Sequence, residues 1–435
     1  LLKLRSSKYK FGFWQATSLV VGNIVGSGIL MLPVALAYYG TFGLFGWALT
    51  SLGAIFLGLV FASLSHRFTK SGGPYVYARE VFGRFFGFEV AWTYWLANII
   101  SNLAVVIAFV SYLSAAYPVL KEHPLYAFGV GLIALWVSVA INLISLKLFA
   151  RMQVLVTVAK VLPLIVLSVV GIFYVDWSNL YPFTLPMGIT PWQAILATMS
   201  LSIFSFIGIE SATIPSEHIE HPKKIVAQAT VVGTLISAVI YIWIAMVIMG
   251  ILGTGKLSMS QAPFADAVGS MFGSGSARVI ALMAAFSCFS TLNGWILLQG
   301  QIPLAVARDN LFPKIFGYQS SQGTPVAALL ISASFMSLLL FLNYSASLID
   351  QFALIIHLTS FSILLPYLFS GLADLVLLWR EGRKAQFSWG SILVAVVAIL
   401  YAGVAICGVG FQSFLMGVGL VVIGVPIFWI MKKEA

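Results

Sequence analysis

Twelve apolar stretches of roughly 20 to 30 residues follow one another along the chain, beginning near positions 12, 41, 85, 125, 152, 192, 226, 277, 324, 347, 388 and 411. Each is long enough to cross a hydrocarbon core about 30 Å thick as a helix. A soluble domain has no interior large enough to hide them all, and the composition, 60% hydrophobic against 8% charged, agrees. The chain therefore reads as an all-α membrane protein of twelve transmembrane helices, with the lipid bilayer as its surroundings.

Charge sets the orientation. A net charge of +10 raises nucleic acid as a partner, but the basic residues lie in short loops rather than in one patch, so no nucleic-acid partner is expected. With the N-terminus cytoplasmic and twelve spans alternating, all but four of the 23 Lys and Arg face the cytoplasm. Lys121, Lys256 and Arg278 fall outside, and Lys160 lies within a span. That asymmetry follows the positive-inside rule and places both termini, residues 1–11 and 432–435, in the cytoplasm. An Ala-x-Ala pattern at Ala35 to Ala37 could read as signal-peptide cleavage, but the apolar run before it is too long, and removing it would invert the asymmetry. Cys288 and Cys407 sit in apolar spans, where a small hydrophobic role fits better than a disulfide.

Inside the first span lies Gly22-Asn23-Ile24-Val25-Gly26-Ser27-Gly28-Ile29-Leu30, with Pro33 beyond it. Three glycines and a serine there should break the helix, and unwound backbone at membrane depth is tolerated only against protein or a water-filled cavity. The sixth span carries a second interruption, Phe204-Ser205-Phe206-Ile207-Gly208-Ile209-Glu210-Ser211. Glu210 is the acid nearest mid-membrane, since Glu89 and Asp374 lie towards the cytoplasmic ends of their spans. A carboxyl beside a helix break is costly to hold ionised, which makes proton coupling its natural role; a protonated, hydrogen-bonded structural Glu is the alternative. The two broken spans are five apart. Because five is odd, a second five-span unit enters the membrane in the opposite sense, so residues 12–175 and 192–379 form an inverted repeat. Residues 388–431, spans eleven and twelve, are left for scaffold or homodimer contact. In such an arrangement substrate sits between the breaks, with half-helix N-termini towards a carboxylate and free carbonyls towards an ammonium.

Other polar positions are informative in context. Tyr94, Asn98, Ser101 and Asn102 share one face of span three, either bonding a neighbouring helix or lining a pathway. Lys160 needs a partner, a use or a route back to the interface by snorkelling. The loop from Ser71 to Gly83 is rich in turn residues and tyrosine and should pack against the bundle. His218 and His221 lie among carboxylates, but a solvated loop explains them better than a metal site. Trp295, next to Asn293 and Gly294, is a recognition surface or plain packing. His357, Thr359, Ser360 and Ser362 precede Pro366 and an expected kink. No HExxH, Walker A or G-x-S-x-G pattern points to an enzyme, and no cofactor is called for.

Taken in order, Gly22 to Pro33, Gly72-Gly73-Pro74-Tyr75-Val76-Tyr77-Ala78-Arg79, Tyr94-Trp95-Leu96-Ala97, Ser205 to Ala212, Gly294-Trp295, Gly323-Thr324-Pro325-Val326 and Pro366-Tyr367-Leu368 resemble the amino acid, polyamine and organocation transporter superfamily, and within it the bacterial arginine/agmatine antiporters. The resemblance spans nearly the full length. It implies the LeuT-type 5+5 inverted repeat with helices 1 and 6 broken, and a bacterial inner-membrane location. It also implies an amino acid or amine as substrate. Ser27 and Gly28 would bind the carboxylate, the carbonyls of Ile24, Phe204 and Ile207 would take the α-ammonium, and Asn23 would belong to the substrate-binding set. Trp295 would stack on the side chain, with Ala97, Asn98, Asn102 and Thr359 around its tip. Tyr94, Glu210 and Tyr367 would form the cytoplasmic-side gate, with Phe204 and Phe352 at the outer one. Phe204 stands where those antiporters have tryptophan, Asn98 replaces a cysteine and Thr359 a serine. Lys160 is similar to the fifth-helix lysine of proton-coupled permeases and neutral exchangers, where the ammonium replaces sodium. The leading expectation is exchange of a cationic amino acid for its decarboxylated amine; the alternative is a proton-coupled or exchange permease for neutral amino acids.

Overall fold

A computed structural model describes residues 10–144, 146–320, 323–343, 348–382 and 389–434. In chain order the α-helices are α1 (Phe13–Ile24), α2 (Ser27–Ala37), α3 (Gly43–Arg67), α4 (Pro74–Phe82), α5 (Arg84–Ala116), the one-turn α6 (Val119–Glu122), α7 (Pro124–Ile144) and α8 (Leu146–Gly171). They continue with α9 (Pro191–Ser202), α10 (Pro222–Leu257), α11 (Pro263–Phe272), α12 (Ser274–Arg308), α13 (Val326–Asn343), α14 (Leu348–Gly382), α15 (Trp389–Cys407) and α16 (Phe411–Glu434). Among the described residues the one β contact is an isolated parallel bridge between Phe11 and Ile219.

Among the described residues ten helical segments are long and apolar enough to cross a membrane, which makes this a multi-pass membrane protein. The other two stretches expected to span behave differently. One is α13, whose apolar part, Val326–Leu342, is short. The other is the segment after Pro191, which leaves α-helical geometry at Ser202 and continues through a 3₁₀ turn, Ile203–Phe206, and a run of tight turns.

Proline and glycine place the ends. Pro74, Pro191, Pro222 and Pro263 each open a helix, where their missing N–H would have had no partner. Gly83, with φ 94°, joins α4 to α5, and Gly273, with φ 89°, joins α11 to α12; only glycine takes such a left-handed angle cheaply. α14 continues through Pro366, whose carbonyl accepts from Ser370 Oγ at 2.8 Å.

Burial grades the helices from centre to lipid. The most apolar window of the first span is 94% buried, that of Phe411–Met431 only 17%. The broken span is therefore central, packed on α8, α10 and α12, while the last helix is largely peripheral. The Ser71 to Gly83 stretch does pack against the bundle: α4 buries Tyr75, Val76, Tyr77 and Ala78.

The loop before α10 is less solvated than expected. Ile219 is fully buried and Ser216 nearly so, because this stretch holds the N-terminal segment. Phe11 N–H donates to His218 O at 2.8 Å, and Glu220 N–H to Phe11 O at 2.9 Å. Burial holds the His218 imidazole below its ordinary pKa.

Candidate functional site

The first break strands four carbonyls, those of Gly22, Asn23, Ile24 and Val25, because the helix that should supply their N–H partners stops at Ile24. Side chains from three other helices meet them. Lys160 Nζ on α8 donates to Gly22 O. Trp295 Nε1 on α12 donates to Asn23 O at 3.2 Å. Tyr241 OH on α10 reaches Ile24 O, and Thr291 Oγ1 on α12 lies 3.4 Å from Val25 O. Leaving such groups unpaired would cost about 1–3 kcal/mol each, so these contacts hold the break in place, that of Thr291 least, since its one hydroxyl proton also has Ser287 O at 2.9 Å. Lys160 is 3% exposed and also contacts Thr291 Oγ1 at 2.9 Å, so it is pinned to the break rather than snorkelling to the interface.

The glycines here do more than interrupt the helix. A Cβ on Gly26 would come within 2.4 Å of Thr291 Cγ2, one on Gly28 within 2.7 Å of Ser205 Cα, and one on Gly294 within 2.4 Å of Asn23 Oδ1. Close approach between the two breaks and α12 requires their absence. Gly208, with φ 116°, turns the second break past the backbone of Asn23 and Ile24.

The second break is stitched locally and to the first. Ser211 N–H donates to Gly208 O at 2.9 Å and Thr213 N–H to Glu210 O at 2.7 Å. Tyr241 OH, already at Ile24 O, lies 3.0 Å from Ser205 O, and Asn23 Nδ2 donates to Ser211 Oγ at 3.1 Å. Asn23 thus ties the breaks together, while the single hydroxyl proton of Tyr241 serves Ile24 O or Ser205 O but not both.

Glu210 is the chemical centre of the second break. It is fully buried, and so are Tyr94 on α5 and Tyr367 on α14. Tyr94 OH donates to Oε1; Tyr367 OH donates to Oε2 at 2.5 Å, and Gly208 N–H to the same oxygen at 3.2 Å. An ionised carboxylate has lone pairs for all three donors, whereas a protonated one must itself donate through one oxygen. A protonated carboxyl would keep these contacts only if a tyrosine turned its hydroxyl to accept, and bonds to a neutral acceptor are weaker than bonds to a charged one.

The residues expected around a side chain divide. Asn98 Nδ2 donates to Tyr94 O at 2.7 Å, a bond within its own helix. Asn102 Nδ2 donates to Gln299 Oε1 on α12. Asn98 Oδ1, Asn102 Oδ1, Thr359 Oγ1 and Ser205 Oγ are buried with no protein partner. Ala97 (1% exposed), Ile207 (4%) and Phe204 (5%) are buried, as are Ser27 and Gly28 at the start of α2. The Ile24 carbonyl already accepts from Tyr241, leaving one lone pair for any further donor. The side chains of Phe352 and His357 lie outside the described residues.

Sequence reading missed Tyr241, Thr291 and Gln299. Their only signal is polarity within apolar helices, shared by many serines and threonines that merely bond their own helix, as Thr234 and Ser237 do. It also missed the ion pairs near the helix ends. Arg67 bridges Asp374 at 3.0 Å and Glu381 at 2.8 Å, and Arg79 meets Asp309 at 2.7 Å. Tyr75 OH donates to the same Asp309 oxygen at 2.8 Å, and burial, then the Asp309 charge, push the phenol pKa upward.

Comparison with known proteins points the same way. Residues 11–431 match the model of a family described as amino acid permease. A cadaverine/lysine antiporter of Escherichia coli strain K12 is 31% identical over 409 residues, 93% of this chain and 90% of that protein. Putrescine transporters of Haemophilus influenzae and of E. coli strain K12 are 31% and 30% identical over 408 and 424 residues. They cover 94% of this chain in both cases, and 94% and 93% of their own lengths.

Proposed function

Because the chain belongs to the amino acid permease family, a family of transporters rather than enzymes, we propose that it is a secondary transporter working by alternating access, exchanging a cationic amino acid for its decarboxylated amine. The observation that carries this reading is the pair of facing breaks. α2 begins at Ser27 and Gly28, where unpaired N–H groups suit a carboxylate, against carbonyls at Ile24, Phe204 and Ile207 for an ammonium. The similarity to a cadaverine/lysine antiporter supports the exchange mode, since cadaverine is lysine without its carboxyl.

The architecture of the proposal is a twelve-helix, 5+5 inverted repeat of the LeuT type, with halves at residues 12–175 and 192–379. A correspondence between the halves supports it. In each, a short proline-started helix, α4 or α11, ends at a positive-φ glycine and leads into a helix of 33 or 35 residues, α5 or α12. Residues 388–431 then serve as scaffold or homodimer contact, and both termini face the cytoplasm of an inner membrane.

Within this reading Tyr94, Glu210 and Tyr367 close the cytoplasmic side, with protonation of Glu210 loosening the gate. Asn23 braces the carboxylate end, Trp295 stacks on the substrate side chain, and Ala97, Asn98, Asn102 and Thr359 surround its tip. Phe204 and Phe352 form the outer closure. Lys160 supplies the positive charge that bridges the first break to α8, so no sodium is required. One feature favours the neutral-substrate alternative: Asn98, Asn102, Gln299 and Thr359 are all uncharged.

Purified protein in liposomes loaded with unlabelled lysine, arginine or their amines should accumulate labelled lysine or arginine. Clear counterflow of alanine, serine or leucine with none for any cationic amino acid would overturn the substrate assignment.

A further inference from the structure

We propose that Gln299 is a specificity-determining positioning residue: it holds the Asn102 amide by its nitrogen, so that α5 offers carbonyl oxygens to a substrate tipped by an ammonium or guanidinium. The inference rests on the substrate reading above and adds a residue to it.

Gln299 lies four residues beyond Trp295 on α12, hence on the same helix face one turn nearer Arg308, and it is fully buried. Its Oε1 accepts from Asn102 Nδ2, and Asn102 is also fully buried. That bond determines which end of Asn102 remains free. With the nitrogen engaged, Oδ1 is left buried and unpartnered. Asn98, one turn earlier on α5, is in the same condition: its nitrogen is spent on Tyr94 O and its Oδ1 has no partner. The helix therefore carries two orphan acceptors four residues apart, each with its own donor already engaged.

A buried acceptor without a donor is unfavourable, so a ligand that brings donors gains where an aliphatic tip does not. An ammonium has three donors and a guanidinium five, with no acceptor to clash. No carboxylate is needed to select such a tip, which answers the uncharged lining. Gln299 Nε2 is the one unpartnered donor of the pair. Were both amides reversed, that nitrogen would donate to Asn102 Oδ1 and the Asn102 NH₂ would be presented instead. The orientation of Gln299 thus decides whether Asn102 presents an acceptor or a donor.

The test compares lysine with norleucine, which has the same carbon chain without the terminal amine, as substrates of the full chain in proteoliposomes. Wild type should favour lysine. Gln299→Met frees the Asn102 amide, and should raise the KM for lysine about fivefold while leaving its maximal rate and the KM for norleucine within about twofold. Gln299→Glu, which when ionised can hold Asn102 only by accepting, should restore the lysine KM. Gln299→Glu combined with Asn102→Ala should be no better than Asn102→Ala alone; recovery in that double variant would mean that charge, not positioning, is at work and would overturn the proposal. Parallel changes for both substrates in Gln299→Met, or no change, would also overturn it. A wild type that carries no cationic amino acid overturns the substrate reading itself, a separate outcome.

Discussion

Replacing Glu210 by Gln tests the gate most directly, because the geometry defines what is lost. In the wild type the carboxylate accepts from Tyr94, Tyr367 and Gly208 N–H. The amide keeps one acceptor oxygen, which can still serve Tyr94. Its NH₂ group then faces Tyr367 and Gly208, where two donors used to find an oxygen. The tyrosine can rotate its hydroxyl and accept, but the Gly208 N–H cannot. The net loss is one or two hydrogen bonds to a charged acceptor, about 1.5–3 kcal/mol each before relaxation. Allowing for rotation of Tyr367, a weakening of about 1–3 kcal/mol shifts the ratio of closed to open gate by about 5- to 150-fold. In the proposed reading ionised Glu210, the stronger acceptor because it is charged, holds the gate and protonation loosens it, so wild-type exchange should rise as pH falls. Glu210→Gln imitates the loosened state at every pH. Labelled exchange in proteoliposomes should fall with rising pH for wild type and stay flat for the variant. A variant that retains the wild-type pH profile would refute Glu210 as the proton-sensitive member.

Lys160→Met removes the donor to Gly22 O and a contact of Thr291, and should lower stability by about 1–3 kcal/mol, read from thermal unfolding in detergent; wild-type exchange should be equal in sodium and potassium buffers, and sodium stimulation would contradict the role given to the ammonium. Gly28→Ala places a methyl 2.7 Å from Ser205 Cα, which is backbone and cannot rotate aside, so exchange should collapse while protein still reaches the membrane. Gly129→Ala, where a Cβ meets nothing within 4 Å, is the control, and equal activity of the two would remove the close-approach argument. His218 has a lowered pKa in the folded protein, so as pH falls below the ordinary histidine value of 6.5 the undocked chain takes up a proton that the docked one refuses. Docking of the N-terminal segment should therefore weaken from that pH down through the lower folded value, seen as faster exchange of the Phe11 amide at about pH 5.5 than at about pH 7.5 after intrinsic correction. Identical protection at both would rule out His218.

Reading from sequence succeeded where a single residue type in the wrong solvent forces a conclusion. Glycines at membrane depth forecast the break at Gly26, and a lone deep acid drew attention to Glu210, which is buried and bonded by two tyrosines. Tyr94 and Tyr367, 273 positions apart, were legible only through resemblance, since no spacing relates a tyrosine on α5 to one on α14. Gln299 and Tyr241 were not legible at all. Each matters because of what stands opposite, an asparagine amide in one case and a stranded carbonyl in the other.

By itself the sequence determined that this chain lives in a bilayer as a bundle of helices, with backbone interrupted at two depths and a carboxyl beside one interruption. Those are consequences of solvation: apolar length, glycine and unpaired charge have costs in hydrocarbon that hold in any fold. Only the tertiary structure decided how the interruptions are held open, through Lys160, Trp295, Tyr241 and Thr291 on the four carbonyls of residues 22–25, and that two tyrosines close on Glu210. The reason is the range of the interaction: a hydrogen bond is made over about 3 Å between groups more than a hundred residues apart, and only packing brings them together.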